Sequence, residues 1–267
     1  MSFTHSADGV TFLARQQVGY PFHVGRVLRR AADPGPMATV LLQSCSGGVF
    51  EGEDLGLEVS VGANAMVHLS TGASTIVHSM QKNSAHQRVS LQVGKNAILE
   101  YLPKPTILFS GAQFTNEVEV SLDEQASLIL WDVCLSHGPD GNPERFGYYR
   151  NVIRVRDEHG HLKILDRMCI QGADLSEAKI GVNGGLGTFG TLFIVTRKVN
   201  SSVLIESMRN VMFEDAENYA GASELPGGIG VCVRVLAKSA AGITKQLENV
   251  LYCVRPLILD SLKTPCD

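Results

Sequence analysis

The sequence lacks two features that would assign it to a common functional class. It has no run of about 18 apolar residues, so an ordinary transmembrane helix is excluded. It has 23 Lys and Arg against 27 Asp and Glu, giving a net charge of -4. Nucleic-acid binding requires clustered basic side chains to neutralise phosphates, so this balance argues against a nucleic-acid partner.

Cysteine pairs and an apolar N-terminal segment are also missing. The six cysteines are far apart and none forms a Cys-x-x-Cys motif, which argues against a structural zinc site or a redox motif. We expect free thiols, mostly buried. Residues 1–10 include His and Asp and have no apolar core, so the sequence predicts no secretory signal and a cytoplasmic location.

A repeated strand-turn-strand pattern is the main feature that is present. Its first strands end at Val61, Val93 and Leu122, so successive copies are 32 and 29 residues apart. Such near-constant spacing is typical of stacked supersecondary units. In each copy apolar residues alternate with polar ones, and in two copies the turn contains Gly and Asn, which tolerate a reversal of the chain.

These patterns predict a mainly β protein in which stacked strand-turn-strand repeats form packed, β-helix-like sheets. A further hairpin is expected at 153–164, with its turn at 157–160. In the C-terminal third the pattern predicts a β-α-β-α segment, with helices at about 202–217 and from Ile243 to Val254. The second helix is expected to end near Arg255-Pro256, because proline disfavours continuation of a helix. We therefore expect a β-rich region at 1–175 and a β-α-β-α region at 176–267, packed as one continuous domain of 267 residues with a sizeable core.

Two motifs are better explained by structure than by ligand binding. The segment 185–190 matches G-x-G-x-x-G, but it leads into a predicted strand instead of the helix that a dinucleotide site requires. Asp157, His159 and His161 alternate through the predicted hairpin and could face one metal ion, yet His161 shares the phase of Lys163 and should face solvent. His68 and His78 are isolated and are interpreted as ordinary packing or surface histidines.

Three acidic residues occupy positions where the alternation predicts inward, apolar side chains. Asp132 continues the inward phase of the third repeat, Asp166 continues that of the later hairpin, and Glu53 precedes that of the first repeat. A buried carboxylate is costly unless it is paired, hydrogen-bonded, metal-bound or in contact with internal water. These acids are therefore candidates for a functional interior.

Three interpretations of these acids remain open from the pattern alone. They could lie at a bent sheet rim in simple ion pairs, for instance with Arg167 or Arg154, in a plain β-rich interaction module. Asp132 and Asp166 could instead form the acid/base pair of a β-sheet enzyme or a small-ligand site. They could also face internal water. No Ser-His-Asp arrangement or nucleophile elbow supports the enzyme interpretation.

Six short segments, in their order and spacing, carry a family resemblance from Tyr20 almost to the C-terminus. The first three are a glycine-rich acidic segment at 47–53, a segment of small polar residues at 70–75 and a Leu-Glu-aromatic-Leu-Pro segment at 99–103. The other three are Leu-x-x-Trp-acid at 128–132, an acid-Arg pair at 166–167 and an Arg-Pro pair at 255–256. In these segments the chain resembles the UreD family of urease accessory proteins, called UreH in some systems. Where the family has Gly-Gly-Asp, this chain reads Gly52-Glu53-Asp54.

The resemblance implies a mainly β fold with two helices and a non-catalytic scaffold role in urease activation. Such a protein would bind the urease apoprotein and UreF and, through UreF, the GTPase UreG that brings nickel. The family is proposed to contain a tunnel for nickel, or for the carbon dioxide that carbamylates a lysine. Applied to this chain, the resemblance implies nickel in transit, no permanent cofactor or metal, and a path lined by Glu53, Asp54, Ser74, Thr75, Asp132 and Asp166.

Oxygen ligands suit transit better than a closed set of His and Cys ligands. Ni²⁺ stands high in the affinity order of divalent metals, so a closed His/Cys site would hold it too tightly for release. Carboxylates that line a wet channel keep their charge and bind nickel more weakly. The residue pattern and the family resemblance are therefore compatible with the same interior path.

Overall fold

The computed structural model of the protein describes residues 1–31, 33–137, 146–175, 183–212, 215 and 217–261. Its first sheet, sheet A, has seven strands. From edge to edge they are β14 (Leu162–Gln171), β13 (Tyr148–Asp157), β11 (Gln113–Leu122), β8 (Ala85–Val93), β5 (Asp54–Val61), β1 (Ser2–His5) and β2 (Thr11–Arg15).

The second sheet, sheet B, has ten strands and faces sheet A. Its main path is β16 (Asn218–Glu224), β17 (Gly230–Ala237), β15 (Thr188–Val195), β12 (Ser127–Ser136), β9 (Ile98–Tyr101), β6 (Met66–Thr71), β4 (Ala38–Ser44) and β3 (Phe22–Val24). Two short strands, β7 (Thr75–Val77) and β10 (Thr106–Leu108), pair with each other, and β10 also pairs with the end of β12.

Residues one repeat apart in the sequence are the residues that pair between neighbouring stacked strands. In sheet A, Val61 pairs with Val93 and Val93 with Leu122, all in parallel. The turns that follow begin the strands of sheet B, where Met66 pairs with Ile98 and Ile98 with Ser127. Asn64 and Asn96 adopt positive φ in the first two turns, as their sequence context predicts. The predicted β-helix-like stack is confirmed.

Three helices accompany the sheets: α1 (Gly172–Leu175), α2 (Ser201–Arg209) and α3 (Ala240–Asp260), with a 3₁₀ turn at Pro226–Gly228. Helices α2 and α3 cover the outer face of sheet B, where they bury Leu204, Met208 and Val250. The inner faces of the two sheets enclose a separate apolar core. Within the described part of the chain, no helix combines the length and apolarity needed to cross a membrane.

Several local predictions for the C-terminal third were wrong. Helix α2 ends at Arg209, whereas the predicted end was about residue 217. Strand β16 was not predicted, because it has too few apolar residues to be recognised as a strand. Helix α3 continues through Pro256 to Asp260. The proline removes one backbone hydrogen bond, but Ile258 beyond it is buried against sheet B, and that packing offsets the loss.

Predictions for the hairpin and for the thiols were mixed. The hairpin of β13 and β14 forms as predicted, but a register shift beside Val155 leaves Leu162 exposed although its phase predicted an inward position. The five cysteines in the described ranges are free thiols, as expected, yet Cys45 and Cys169 are exposed. The segment 185–190 leads into β15, which confirms that no helix follows the glycines.

Candidate functional site: a cavity between the sheets

A row of inward-facing amides crosses sheet A. Gln87, Asn116 and Asn151 are neighbours in register on β8, β11 and β13. Gln87 Nε2 donates to Asn116 Oδ1 at 3.2 Å, and Asn116 Nδ2 donates to Asn151 Oδ1 at 3.1 Å. Because these side chains lie on the inner face, their hydrogen bonds to one another satisfy polar groups that would otherwise be costly to bury.

Asp132 on β12, in the opposite sheet, accepts a hydrogen bond from the last amide of this row. Asn151 Nδ2 donates to its Oδ2 at 2.9 Å, and the Tyr149 hydroxyl donates to its Oδ1 at 2.8 Å. The residue is only 7% exposed. Burial raises the pKa of Asp132 to about 6, and the charge of Asp166 adds to this effect, against the opposing influence of Arg234 and the two hydrogen bonds.

Gln87 and Asn116 of the amide row, together with Asp132, border a cavity of about 280 Å³ between the sheets. Ser74 and Thr75 line its other side, where sheet B is interrupted between β6 and β7. Exposed residues at its rim, including Ala73 and Lys104, show that the cavity opens to the surface there. Its lining combines polar and apolar side chains, and a cavity of this size has room for several water molecules.

A second, wider groove of about 820 Å³ adjoins the cavity. The two spaces share four lining residues, all apolar: Phe22, Leu42, Leu55 and Leu57. Three of these side chains are buried and Phe22 is half-buried. They therefore form an apolar partition between the cavity and a groove that runs along β5 from Asp54 to Ser60.

Asp166 lies close enough to Asp132 to influence it but has its own partner. Arg234 on β17 donates to Asp166 on β14, so this ion pair joins sheet B to sheet A. Arg234 Nη1 also donates to Thr191 Oγ1 at 2.6 Å, and Thr191 is the register partner of Asp132. The partner of Asp166 is thus neither of the two arginines that the sequence suggested, and its side chain remains 17% exposed.

Glu53 and Asp54 do not line the cavity. The carboxylate of Glu53 accepts a hydrogen bond of 3.0 Å from the Phe50 amide within the preceding turn. Asp54 begins β5 on its outer, exposed face and pairs with Arg88 at 2.6 Å. The inward alternation of β5 therefore begins at Leu55 and does not extend back to Glu53. The structure brings Ser74, Thr75 and Asp132 to one cavity, with Asp166 nearby.

A second buried charged cluster fixes helix α3 to the outer face of sheet B. Arg255 donates to both oxygens of Glu100, from Nε at 2.7 Å and from Nη2 at 2.6 Å, and His68 Nδ1 lies 2.6 Å from Glu100 Oε2. Burial alone would raise the pKa of Glu100, but His68 and Arg255 outweigh it and hold that pKa below its usual value. His68 is therefore part of a buried ion-pair network, and two family-like segments, 99–103 and 255–256, meet here.

The sequence interpretation missed the amide row, although the signal was present. Each amide lies two residues before an inward valine or isoleucine of its strand, at the same level of the stack: Gln87 before Val89, Asn116 before Val118 and Asn151 before Ile153. The alternation that singled out Asp132 applies equally to these residues. Tyr149 carried no such signal, because an inward tyrosine is ordinary core composition.

Comparisons with known proteins agree with this architecture. The family model described as UreD urease accessory protein matches residues 1–266. "Urease accessory protein UreD 1" of Pseudomonas syringae pv. syringae is 39% identical over 255 residues, covering 96% of this chain and 90% of the relative. "Urease accessory protein UreD" of Haloarcula marismortui is 33% identical, covering 98% and 86%. The corresponding protein of Natronomonas pharaonis is 30% identical, covering 97% and 86%. The chain belongs to the UreD family of urease accessory proteins.

Proposed function

We propose that this protein is a non-catalytic scaffold of urease maturation that passes nickel through its interior. It binds the urease apoprotein and UreF and, through UreF, the GTPase UreG. The observation that carries the proposal is Asp132, a carboxylate held by two donors at the wall of the cavity between the sheets. Family membership supports the choice of urease as the recipient.

The chemistry of the cavity favours passage of a cation over its retention. Asp132, Asn116 and Ser74 on the cavity lining carry side-chain oxygen atoms. Oxygen ligands hold Ni²⁺ less tightly than imidazole or thiolate. Among the described residues, no three His, Cys, Asp or Glu side chains are already arranged around a common metal position. A nickel ion in this cavity would keep part of its water shell and exchange quickly.

The proposed path runs from the surface opening of the cavity to the groove along β5. The cavity reaches the surface beside Ala73 and Lys104, and the apolar partition separates it from the groove along β5. Passage through both ends requires the partition residues, such as Phe22 and Leu57, to move apart. We propose that binding of a partner at the groove opens this partition, so that nickel is released only within the assembled complex.

The test is complementation of a urease operon that lacks its own UreD. The variants are Asp132→Asn, Asp166→Asn and the double substitution, with Asp8→Asn as the matched control, because Asp8 is exposed and lines neither the cavity nor the groove. We expect a several-fold lower nickel content of purified urease with the cavity variants. The complex with urease and UreF should still co-purify, and the control should load nickel normally.

Each other outcome points to a different function. Normal nickel loading by the double variant would refute a path through these acids. Loss of the complex, instead of loss of nickel, would indicate that the acids are structural elements of an interaction module. Substrate turnover by the isolated protein would favour the enzyme interpretation.

A further inference from the structure

The hairpin tip between β13 and β14 presents two histidines to solvent. His159 and His161 have side chains that are 73% and 72% exposed, and their ring centroids are 6.1 Å apart. Gly160 between them has φ of 83°, a conformation that side-chain-bearing residues rarely adopt. This tight turn keeps the two imidazoles on neighbouring positions of the same tip.

Asp157 fixes the tautomer and the orientation of His161. Its Oδ1 accepts backbone hydrogen bonds from residues 159 and 161, and its Oδ2 lies 3.0 Å from Lys163 Nζ and 3.1 Å from His161 Nδ1. Both oxygens of Asp157 therefore accept from donors, as those of an ionised carboxylate do. An ionised carboxylate only accepts, so Nδ1 of His161 carries a proton and the exposed Nε2 of the neutral ring keeps its lone pair.

Glu158 supplies a carboxylate oxygen beside the other histidine. Its Oε2 accepts from the Glu124 amide at 2.9 Å, which anchors the side chain to the neighbouring turn. Its Oε1 lies 3.9 Å from His159 Nε2. Two donor atoms that each lie ~2.1 Å from one metal ion are roughly 3.0–4.2 Å apart for the usual coordination angles, so a cation fits between this oxygen and this nitrogen.

We propose that the hairpin tip binds a divalent transition-metal ion through His159 Nε2, His161 Nε2 and Glu158 Oε1, with Asp157 as the positioning residue and water at the remaining positions. Imidazole with one carboxylate suits Ni²⁺, Zn²⁺ or Cu²⁺ and not Mg²⁺ or Ca²⁺. In the structure these three side chains do not surround a common point. Because they are exposed, rotation about their own side-chain bonds can bring the three ligand atoms together. The nearby cations, Arg156 on the Gly160 carbonyl and Lys163 on Asp157, keep the affinity modest.

This site is independent of the cavity. On β13, six residues separate Asn151, at the level of the cavity, from Asp157 at the tip. Strands rise about 3.3 Å per residue, so the two levels are about 20 Å apart. The interior between them is filled by apolar side chains, including Ile153 and Val155. The hairpin can therefore bind an ion whether or not the cavity conducts nickel.

The test is titration of the purified full-length protein with Ni²⁺ and, separately, with Zn²⁺ by calorimetry. His159→Ala and His161→Ala should each abolish the site, and Asp157→Asn should weaken it by about 10–100-fold, as expected for loss of a group that orients a ligand. His23→Ala is the matched control, because His23 is an exposed histidine on another strand, and it should bind as the unmodified protein does.

A second measurement separates direct ligation from a change in folding. Cu²⁺ bound to the unmodified protein should give an electron paramagnetic resonance spectrum with two imidazole nitrogens, reduced to one in either histidine variant that remains folded by circular dichroism. Failure of the unmodified protein to bind Ni²⁺ or Zn²⁺ would overturn the proposal. So would binding that survives both histidine substitutions. Because no urease is present, neither result depends on the cavity path.

Discussion

The ionisation of Asp132 should make the stability of this protein depend on pH in a specific way. The pKa of this carboxyl is raised from an ordinary value of 3.8 to about 6, mainly by burial. A group with a raised pKa in the folded state contributes its full stabilisation only while it is protonated in both states. That contribution is complete below about pH 4 and is lost as the pH rises through 6.

The size of the effect follows from the difference between the two pKa values. That difference is about two pH units, and each unit corresponds to roughly 1.4 kcal/mol, so the ionised carboxylate costs about 3 kcal/mol of unfolding free energy. Asp132→Asn removes the charge while keeping the shape. The new amide oxygen can still accept from Asn151, and the new NH₂ group can donate to the Tyr149 hydroxyl.

The assay is urea unfolding of both proteins at several pH values between 4.5 and 8. The difference in unfolding free energy, variant minus unmodified, should increase by about 1.5 kcal/mol from pH 5 to pH 7 and then level off. Asp54→Asn should show no such increase, because Asp54 is exposed. A pH-independent difference, or a variant that loses stability relative to the unmodified protein as the pH rises, would refute the burial argument.

Two further predictions concern the attachment of helix α3. Glu100→Gln should lower the unfolding free energy by up to about 3–5 kcal/mol, because it leaves the buried Arg255 with only the more distant carboxylate of Asp33, at 3.4 Å. A urea titration measures this loss, and full stability of the variant would contradict it. Gly190→Ala should cost about 1–3 kcal/mol through overpacking, since the new Cβ would lie 2.8 Å from Ile243 Cγ2. Gly221→Ala, with no atom within 4 Å of its Cβ, is the matched control, and equal losses in the two variants would exclude overpacking as the cause.

The stacked fold could be predicted because its repeat is local. A strand, a turn with Asn at positive φ and a second strand recur at a spacing that equals the observed register, as Val61, Val93 and Leu122 show. Features that depend on distant contacts could not be read in this way. Strand β16 is held by pairing with β17, and α3 passes Pro256 because residues beyond it pack on sheet B.

The site was predicted in part for the same reason. Alternation places Asp132 and Asp166 on inner faces, and the structure has both there. It also suggested Glu53, because a sequence does not show where an alternating strand begins; β5 begins only at Asp54. The partner of Asp166 is Arg234, 68 residues further along the chain, and no local pattern reveals which arginine of the opposite sheet will face a given acid.

The position of the cavity follows from an interruption of sheet B. Between β6 and β7, and again between β9 and β10, the chain leaves the sheet for a few residues, and Ser74, Pro103 and Lys104 from these breaks line the cavity. Backbone groups at a break lose their ladder partners and need other polar partners or water. Gln87 and Asn116 of the amide row lie on the same cavity, so polar side chains reach the interior at the level where the sheet is open. At the far end of the strands, where pairing is continuous, the interior is apolar. A cation that entered this fold would therefore be confined to the interrupted level, and Asp132 is the buried carboxylate on that lining.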